Sequence, residues 1–457
     1  MNIGDVISDF DLLIIGAGPA GLAASQKAIS LNKRVLVVDW GIHTHPHYSA
    51  RSESDVEYEV GGIGGTAGHW GGQFGFLSQE DKYNWTTISK YDDKFFSQLD
   101  NECLKWARKM RTKNVERIEL DHELEFANQS YFRETFTIRP ELSNITSIFH
   151  STIESKNFKY IGNKKLKYIE KTISGTRKMV FENETIDLPD IPILLAMGCM
   201  ETTNVIHRSL ARSGARIPTK LGHNLADHPW IYGKKYVPSL IFGKQPPELF
   251  YEGRKRKFKT SVYRETEKLF HSGIFEIRTT VDNIFLNPFY KDFYRIKNIC
   301  SLILRLIMLK KYSQILRSEY QIWIQLEQFR NHESFIEIGA ESSISHWKMS
   351  SNDILLFNQV SENAEQTLSR YRVKESGGKS NDTQLVFNQA YHPSGTLQAG
   401  PEDGDSVADQ YGKIYGLEQT WIASSAIFPT SGWMNPSLLI MAYSGLIVEQ
   451  IFDLEGS

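Results

Sequence analysis

One stretch, DLLIIGAGPAGLAASQKAISLNKRVLVVD at residues 11–39, limits the fold of this chain more than any other. DLLII and RVLVVD are short apolar runs of the kind required by strands covered on both faces. Between them GAGPAG reads as a turn and LAASQKAISLN as a helix. Gly16, Gly18 and Gly21 form G-x-G-x-x-G where the strand ends and the helix begins, with Ala20 inside the same turn. The first glycine permits the tight turn and the second lets a pyrophosphate approach the backbone. The third lets the helix pack on the strand, so that the phosphates meet the helix N-terminus. Asp39 closes the second strand, placed to accept a hydrogen bond from a ribose hydroxyl. Strand, glycine turn, helix, strand and terminal acid in this order predict a dinucleotide-binding βαβ unit. The unit does not distinguish FAD from NAD, because both are bound this way.

The rest of the 457-residue chain is long enough for two or three domains, or for one large domain with a second grown into it. Strand-like pieces near 157–187 lead to an apolar strand, IPILLA, at 191–196, and a helical pattern covers 92–112. Residues 241–384 change character: GIFEIRTTV and YQIWIQLEQF alternate as in a sheet with one covered face. The last part returns to glycine-rich loops and helix. The expected class is α/β, α+β overall. A Rossmann-type domain of residues 1–240 and 385–457 is interrupted by an antiparallel-sheet substrate-binding domain of residues 241–384.

A formal net charge of −2 argues against an electrostatically driven nucleic-acid binder, and RKRKFK at 254–259 reads as a solvated loop. Cys103, Cys199 and Cys300 are odd in number, far apart and without C-x-x-C spacing, which predicts free thiols in a reducing compartment. The N-terminal apolar run has no basic region before it and leads into glycines rather than a cleavage site, so a cytoplasmic location is expected. NICSLILRLIML at 298–309 is too short for a bilayer and carries Arg305.

Seven further segments occur in order: GGTAGHWGG (64–72), AMGCMETTNVIHRS (196–209), LGHNLADHP (221–229), QLEQFRNHES (325–334) with SHWKMSSND (345–353), YHPSGTLQAG (391–400) and SSAIFPTSGWMNPSLLIMA (424–442). Together with the N-terminal unit they resemble the glucose-methanol-choline (GMC) oxidoreductases over nearly the whole chain, closest in style to short bacterial members. The resemblance implies FAD as cofactor and oxidation of an alcohol to a carbonyl. It assigns catalysis to His392 and Asn435. Imidazole titrates near operating pH and suits a general base, and an amide can steady the substrate oxygen without competing for its proton.

GGIGGTAGHWGG at 61–72 holds seven glycines in twelve residues and is read as backbone brought against a flat flavin, where a β-carbon would collide. Gly65, Thr66, His69, Trp70, Gly71 and Gly72 are accordingly assigned to the cofactor, as are Ser425 and Pro436. In some relatives a histidine of this segment is bonded to the flavin, whereas others hold free FAD beside a similar His-Trp-Gly-Gly. His69 is open to both readings. Ser424 stands where many relatives have an aspartate, and keeps a hydrogen bond without the charge. Glu201, Asn204, Asn224, Asp227 and His228 are implied to be structural or close to the cofactor, not catalytic.

The expected partners are a small-molecule alcohol and an electron acceptor, dioxygen or another. A sugar or polyol is favoured by the resemblance and by Trp and Tyr side chains that can stack on pyranose faces. A terpenoid- or sterol-like alcohol is the rival, and a hydroxynitrile-lyase-like or redox-silent member is the other alternative. Residues 284–317, aromatic, apolar and basic, suit a buried insertion or lid better than contact with a membrane surface. His43, His45 and His47 alternate, but Pro46 and the lack of nearby Cys or acid ligands make them a loop on the adenosine side, and no metal is expected.

Overall fold

The computed structural model describes residues 3–41, 61–69, 74–110, 122–126, 130–136, 148–172, 175–238, 250–251, 254–279, 320–339, 343–369, 373–375, 386–402 and 405–454. The histidines at 43, 45 and 47, residues 70–72, the 284–317 segment and Cys300 lie outside them.

Five strands form a parallel sheet in the order Thr420–Ile422, Ile193–Leu195, Leu12–Ile15, Val35–Val38 and Phe158–Ile161. The first four are buried at every position, as strands covered on both faces are, and all but Thr420 of their residues are apolar. The expected βαβ unit is present in register: Leu12–Ile15 pairs with Val35–Val38, and the helix Pro19–Ser30 connects them. Its second neighbour, Ile193–Leu195, comes from IPILLA and pairs on the other side. The apolar C-terminal helix Ser437–Leu454 packs on Pro19–Ser30 and on Asp93–Lys109, so the two ends of the chain share one core. Lys27 reaches across to Glu449 and, at 3.8 Å, to Glu102.

The second sheet has eight strands in a mainly antiparallel arrangement. Its centre is Arg254–Arg264, Leu269–Thr279, Tyr320–Leu326 and Trp230–Pro238, and it also takes His122–Phe126 and Ser130–Phe136 from before the 241–384 segment. One covered face was expected; both faces of the centre are covered. Phe258, Phe275, Ile322 and Ile324 lie under the helix Ser351–Ser369, packed so closely that a β-carbon on Gly273 would come within 2.6 Å of Val360. The other face carries Lys259, Ile274, Glu276, Trp323 and Gln325, all buried.

RKRKFK is therefore no solvated loop. It opens the strand Arg254–Arg264, and Lys259 is only 1% exposed. Its ammonium donates to Ser78 Oγ at 2.7 Å and to Glu80 Oε2 at 3.1 Å. Glu80 stands far away in sequence, so the local composition could not reveal the pairing. Among the described residues no helix is long and apolar enough to cross a membrane. Cys103 and Cys199 are free and buried.

Candidate active site

A cavity of about 570 Å³ opens at the carboxyl edge of the parallel sheet. Ile15, Asp39, Ala196 and Ala423, each at or just beyond the end of a parallel strand, all line it. Open parallel sheets bind ligands there because the chain leaves each strand in a loop free to vary while the sheet stays fixed.

The glycine turn forms one wall. Gly16 has φ +108°, and a β-carbon on it would come within 2.2 Å of the Ala196 carbonyl oxygen. A β-carbon on Gly21 would come within 2.0 Å of the Gly16 carbonyl oxygen, so the third glycine seats the helix on the turn and does not line the cavity. Gly18 differs from both: nothing lies within 4 Å of where its β-carbon would be, and it lines the cavity with Ala20 at the N-terminus of Pro19–Ser30.

Asp39 lines the cavity as expected, but its carboxylate also has a structural task. Oδ2 accepts the N–H of Ala17 at 2.8 Å, and Oδ1 accepts those of Gly41 and Gly62, each at 2.7 Å. The first glycines of 61–72 consequently serve this turn rather than a ligand: a β-carbon on Gly61 would come within 2.5 Å of the Trp40 ring. Gly64 N–H donates to Ala17 O at 2.9 Å and swings Gly65 and Thr66 into the cavity wall. The backbone of His69 closes the short helix Gly65–His69; its side chain, like Trp70, Gly71 and Gly72, is outside the described part.

His392 and Asn435 reach the same cavity from the C-terminal part of the chain, with Ser424, Ser425 and Pro436. Ser425 Oγ donates to Pro393 O at 2.7 Å, and the N–H of Leu397 donates to Ala426 O at 2.8 Å, binding the two segments together. Ser424 Oγ donates to Gly198 O at 2.8 Å and accepts the Ala426 N–H at 3.2 Å. Pro436 leads directly into the helix Ser437–Leu454, which fixes Asn435 at its entrance.

Two groups beside His392, expected to be structural or close to the cofactor, tie this wall together. Asp227 is buried and accepts the main-chain N–H of His392 at 3.0 Å. Burial pushes its carboxyl up to about 6, against the pull of the N–H groups of His228, His392, Tyr391 and Ala390. His228 Nε2 donates to Gly432 O at 2.7 Å, and its ring lies 5.4 Å from that of His392. This ties the segment before Asn435 to the segment before His392. Lys164, Lys165 and Glu201 also line the cavity, with Lys165 Nζ at 3.1 Å from Glu201 Oε1. Their signal was positional: Lys164 and Lys165 follow the last parallel strand, and Glu201 lies in the first turn of Gly198–Arg212.

Residues 331–444 match the GMC oxidoreductase family model. The chain is similar to this family over that quarter of its length. That match holds His392, Ser425, Asn435 and Pro436, one whole wall of the cavity. An uncharacterized GMC-type oxidoreductase of Mycobacterium tuberculosis, found in strains CDC 1551 and H37Rv, is 36% identical over 61 residues. The matched stretch spans 13% of this chain and about a tenth (10%) of the relative. Among solved structures, pyridoxine 4-oxidase from Mesorbium loti superposes with a TM-score of 0.61, covering 96% of this chain and 99% of its own at 13% identity. A fungal aryl-alcohol oxidase gives 0.62, covering 98% and 99% at 13% identity. A formate oxidase of Aspergillus oryzae RIB40, in a mutant form that bears on its FAD modification, gives 0.62, covering 98% of each chain at 12% identity. The chain thus shares the fold of those oxidases over nearly its whole length.

Proposed function

We propose that the protein is an FAD-dependent oxidoreductase that converts the hydroxyl of a small-molecule alcohol to a carbonyl. The observation that carries this reading is that His392 and Asn435, distant in sequence, line the same cavity as Gly18 and Asp39. The residues fit the cofactor. Gly18 leaves open space above the helix N-terminus where a pyrophosphate needs close approach, and Asp39, with three N–H partners on its two oxygens, keeps lone-pair capacity for a ribose hydroxyl. Gly65, Thr66, Ser425 and Pro436 supply further wall. When bound, FAD would supply the two-electron sink, a hydride acceptor at its N5.

His392 removes the hydroxyl proton, and Asn435 donates to the oxygen as alkoxide character develops. The C–O bond becomes C=O as the hydride leaves the carbon, the proton resides on imidazole, and dioxygen or another acceptor would take the electrons from the cofactor. We favour a sugar, polyol or sugar-containing molecule as substrate. That preference rests on the resemblance: Trp230 and Trp323, 6.4 Å apart and packed with Trp433, form a largely buried cluster that does not line the cavity. The FAD-binding part would be residues 1–240 with 385–457 and the substrate-binding part 241–384, aided by the outlying strands of the eight-stranded sheet. Free Cys103 and Cys199 agree with a cytoplasmic setting.

The test is anaerobic addition of sugars, polyols and aryl alcohols to the yellow protein. The oxidised flavin band should bleach, and His392→Ala should slow bleaching by about 10²–10⁴-fold. A band that persists with every alcohol, or a His392→Ala variant as fast as wild type, would sink the proposal. A lyase would turn substrate over with the flavin still oxidised.

A further inference from the structure

Asp227 lies where three segments of the fold meet. Its own N–H donates to Gln328 Oε1 at 3.1 Å, and that oxygen also accepts Trp347 Nε1–H at 2.7 Å. Gln328 Nε2 in turn donates to Lys348 O at 2.8 Å, so the main chain at 227 is anchored to the 328–348 segment. The carboxylate faces the other way. Oδ1 accepts the N–H of His228 at 2.6 Å and of His392 at 3.0 Å, and Oδ2 accepts the N–H of Tyr391 at 3.1 Å.

The turn held in this way is one the sequence alone would not adopt. Tyr391 has φ +62°, a left-handed conformation that a bulky residue keeps only where its surroundings enforce it. Tyr391 itself is 46% exposed and lines the cavity. The main-chain bonds to Asp227 are at hand for that task, and the next residue is His392. A carboxylate accepts N–H bonds more strongly than a neutral acid or amide does.

We propose that Asp227 is the positioning residue for His392: its carboxylate, through the main-chain N–H groups of Tyr391 and His392, holds the turn that presents the imidazole to the cavity. This rests on His392 being the base of the proposed reaction. It adds a second ionisation to the acid side of catalysis, since Asp227 must be charged to hold the turn and His392 neutral to accept a proton. Burial pushes the Asp227 carboxyl up to about 6, so its hold on the turn weakens as the pH falls through that region. Among the described residues, the titratable side chains facing it are His228 and His392; Gln328 and the main chain of 390–392 complete its surroundings.

The decisive variant is Asp227→Asn, similar in shape and without the charge, studied as the FAD-loaded protein. Flavin reduction should slow by about a hundredfold with KM little changed, the loss expected when a reacting group is misplaced by a fraction of an ångström to an ångström. Below pH 6 the logarithm of kcat/KM should rise with a slope of about two in wild type and about one in the variant. A crystal structure of Asp227→Asn should show Tyr391 leaving the left-handed region and His392 displaced, and Asp227→Glu should recover part of the rate. If Asp227→Asn does not fold, the double variant with Tyr391→Gly, which lifts the left-handed penalty, carries the same slope test. A wild-type rate and two-proton acid limb without the carboxylate would overturn the proposal, as would an unmoved His392. If wild type itself bleaches with no alcohol, the oxidoreductase reading fails instead, while the position of residues 391–392 in the variant still decides this one.

Discussion

The main-chain N–H of Ala17 donates to Asp39 Oδ2 at 2.8 Å, joining the glycine turn after the first strand to the acid that ends the second. The other oxygen of Asp39 gathers Gly41 and Gly62, so one carboxylate organises three loops at the cavity edge. Asp39→Ala should leave three N–H groups without their acceptor and lower stability by about 2–4 kcal/mol. Thermal unfolding would measure this, and FAD fluorescence would follow the accompanying loss of cofactor. An unchanged melting temperature would show that water replaces the carboxylate at no cost.

Gly16 and Gly18, two residues apart, should fail in different ways. Gly16→Ala drives a β-carbon into the Ala196 carbonyl at a φ of +108° and should cost about 3 kcal/mol or more of stability. Gly18→Ala meets open space at φ −72°, so the apoprotein should melt within about 3 °C of wild type. Its β-carbon nevertheless enters the room kept for a pyrophosphate, and FAD affinity should fall at least about tenfold. Equal effects of the two substitutions on stability would contradict this division of labour.

Glu327 makes stability depend on pH. It is 2% exposed, and its carboxyl is pushed up to about 8, first by burial and second by the charge of Asp81. The folded pKa lies above the unfolded value, so between about pH 4.5 and 8 the native state keeps a proton that the unfolded chain has released. Stability from this source falls as the pH rises through that window, and the penalty is complete above it. Glu327→Gln should flatten the decline and exceed wild type by about 2–5 kcal/mol near pH 9. Urea unfolding at both ends of the window checks the sign.

Lys259 holds its charge inside the protein through Glu80 and Ser78. Lys259→Met should cost about 3–5 kcal/mol, because it leaves a buried carboxylate without its cation. Replacing Glu80 as well should recover much of the loss, which a double-variant cycle of unfolding free energies would reveal. Full additivity of the two losses would mean that the pair does not interact.

Much of the fold could be read in advance where its cause is local. Leu12–Ile15, Pro19–Ser30 and Val35–Val38 follow from apolar runs, a proline-started helix and three glycines spaced for one turn. His392, Asn435, Ser425 and Pro436 were named from motif resemblance, and all line the cavity with Gly16, Gly18, Ala20, Asp39, Gly65 and Thr66. Gly21, read as the glycine that lets the helix pack on the strand, packs beneath the turn.

The sequence by itself determined the βαβ unit, its glycine turn and the kinds of group available for chemistry, since these depend on residues within one helix or strand of each other. Tertiary structure alone decided that Asp39 gathers three loops, that Lys259 is buried against Glu80, and that Asp227 grips the turn before His392. Each is a polar contact taken out of water, and a charge is tolerated there only when a partner meets it. Those partners come from other segments of the chain, so composition and spacing at either end carry no sign of them.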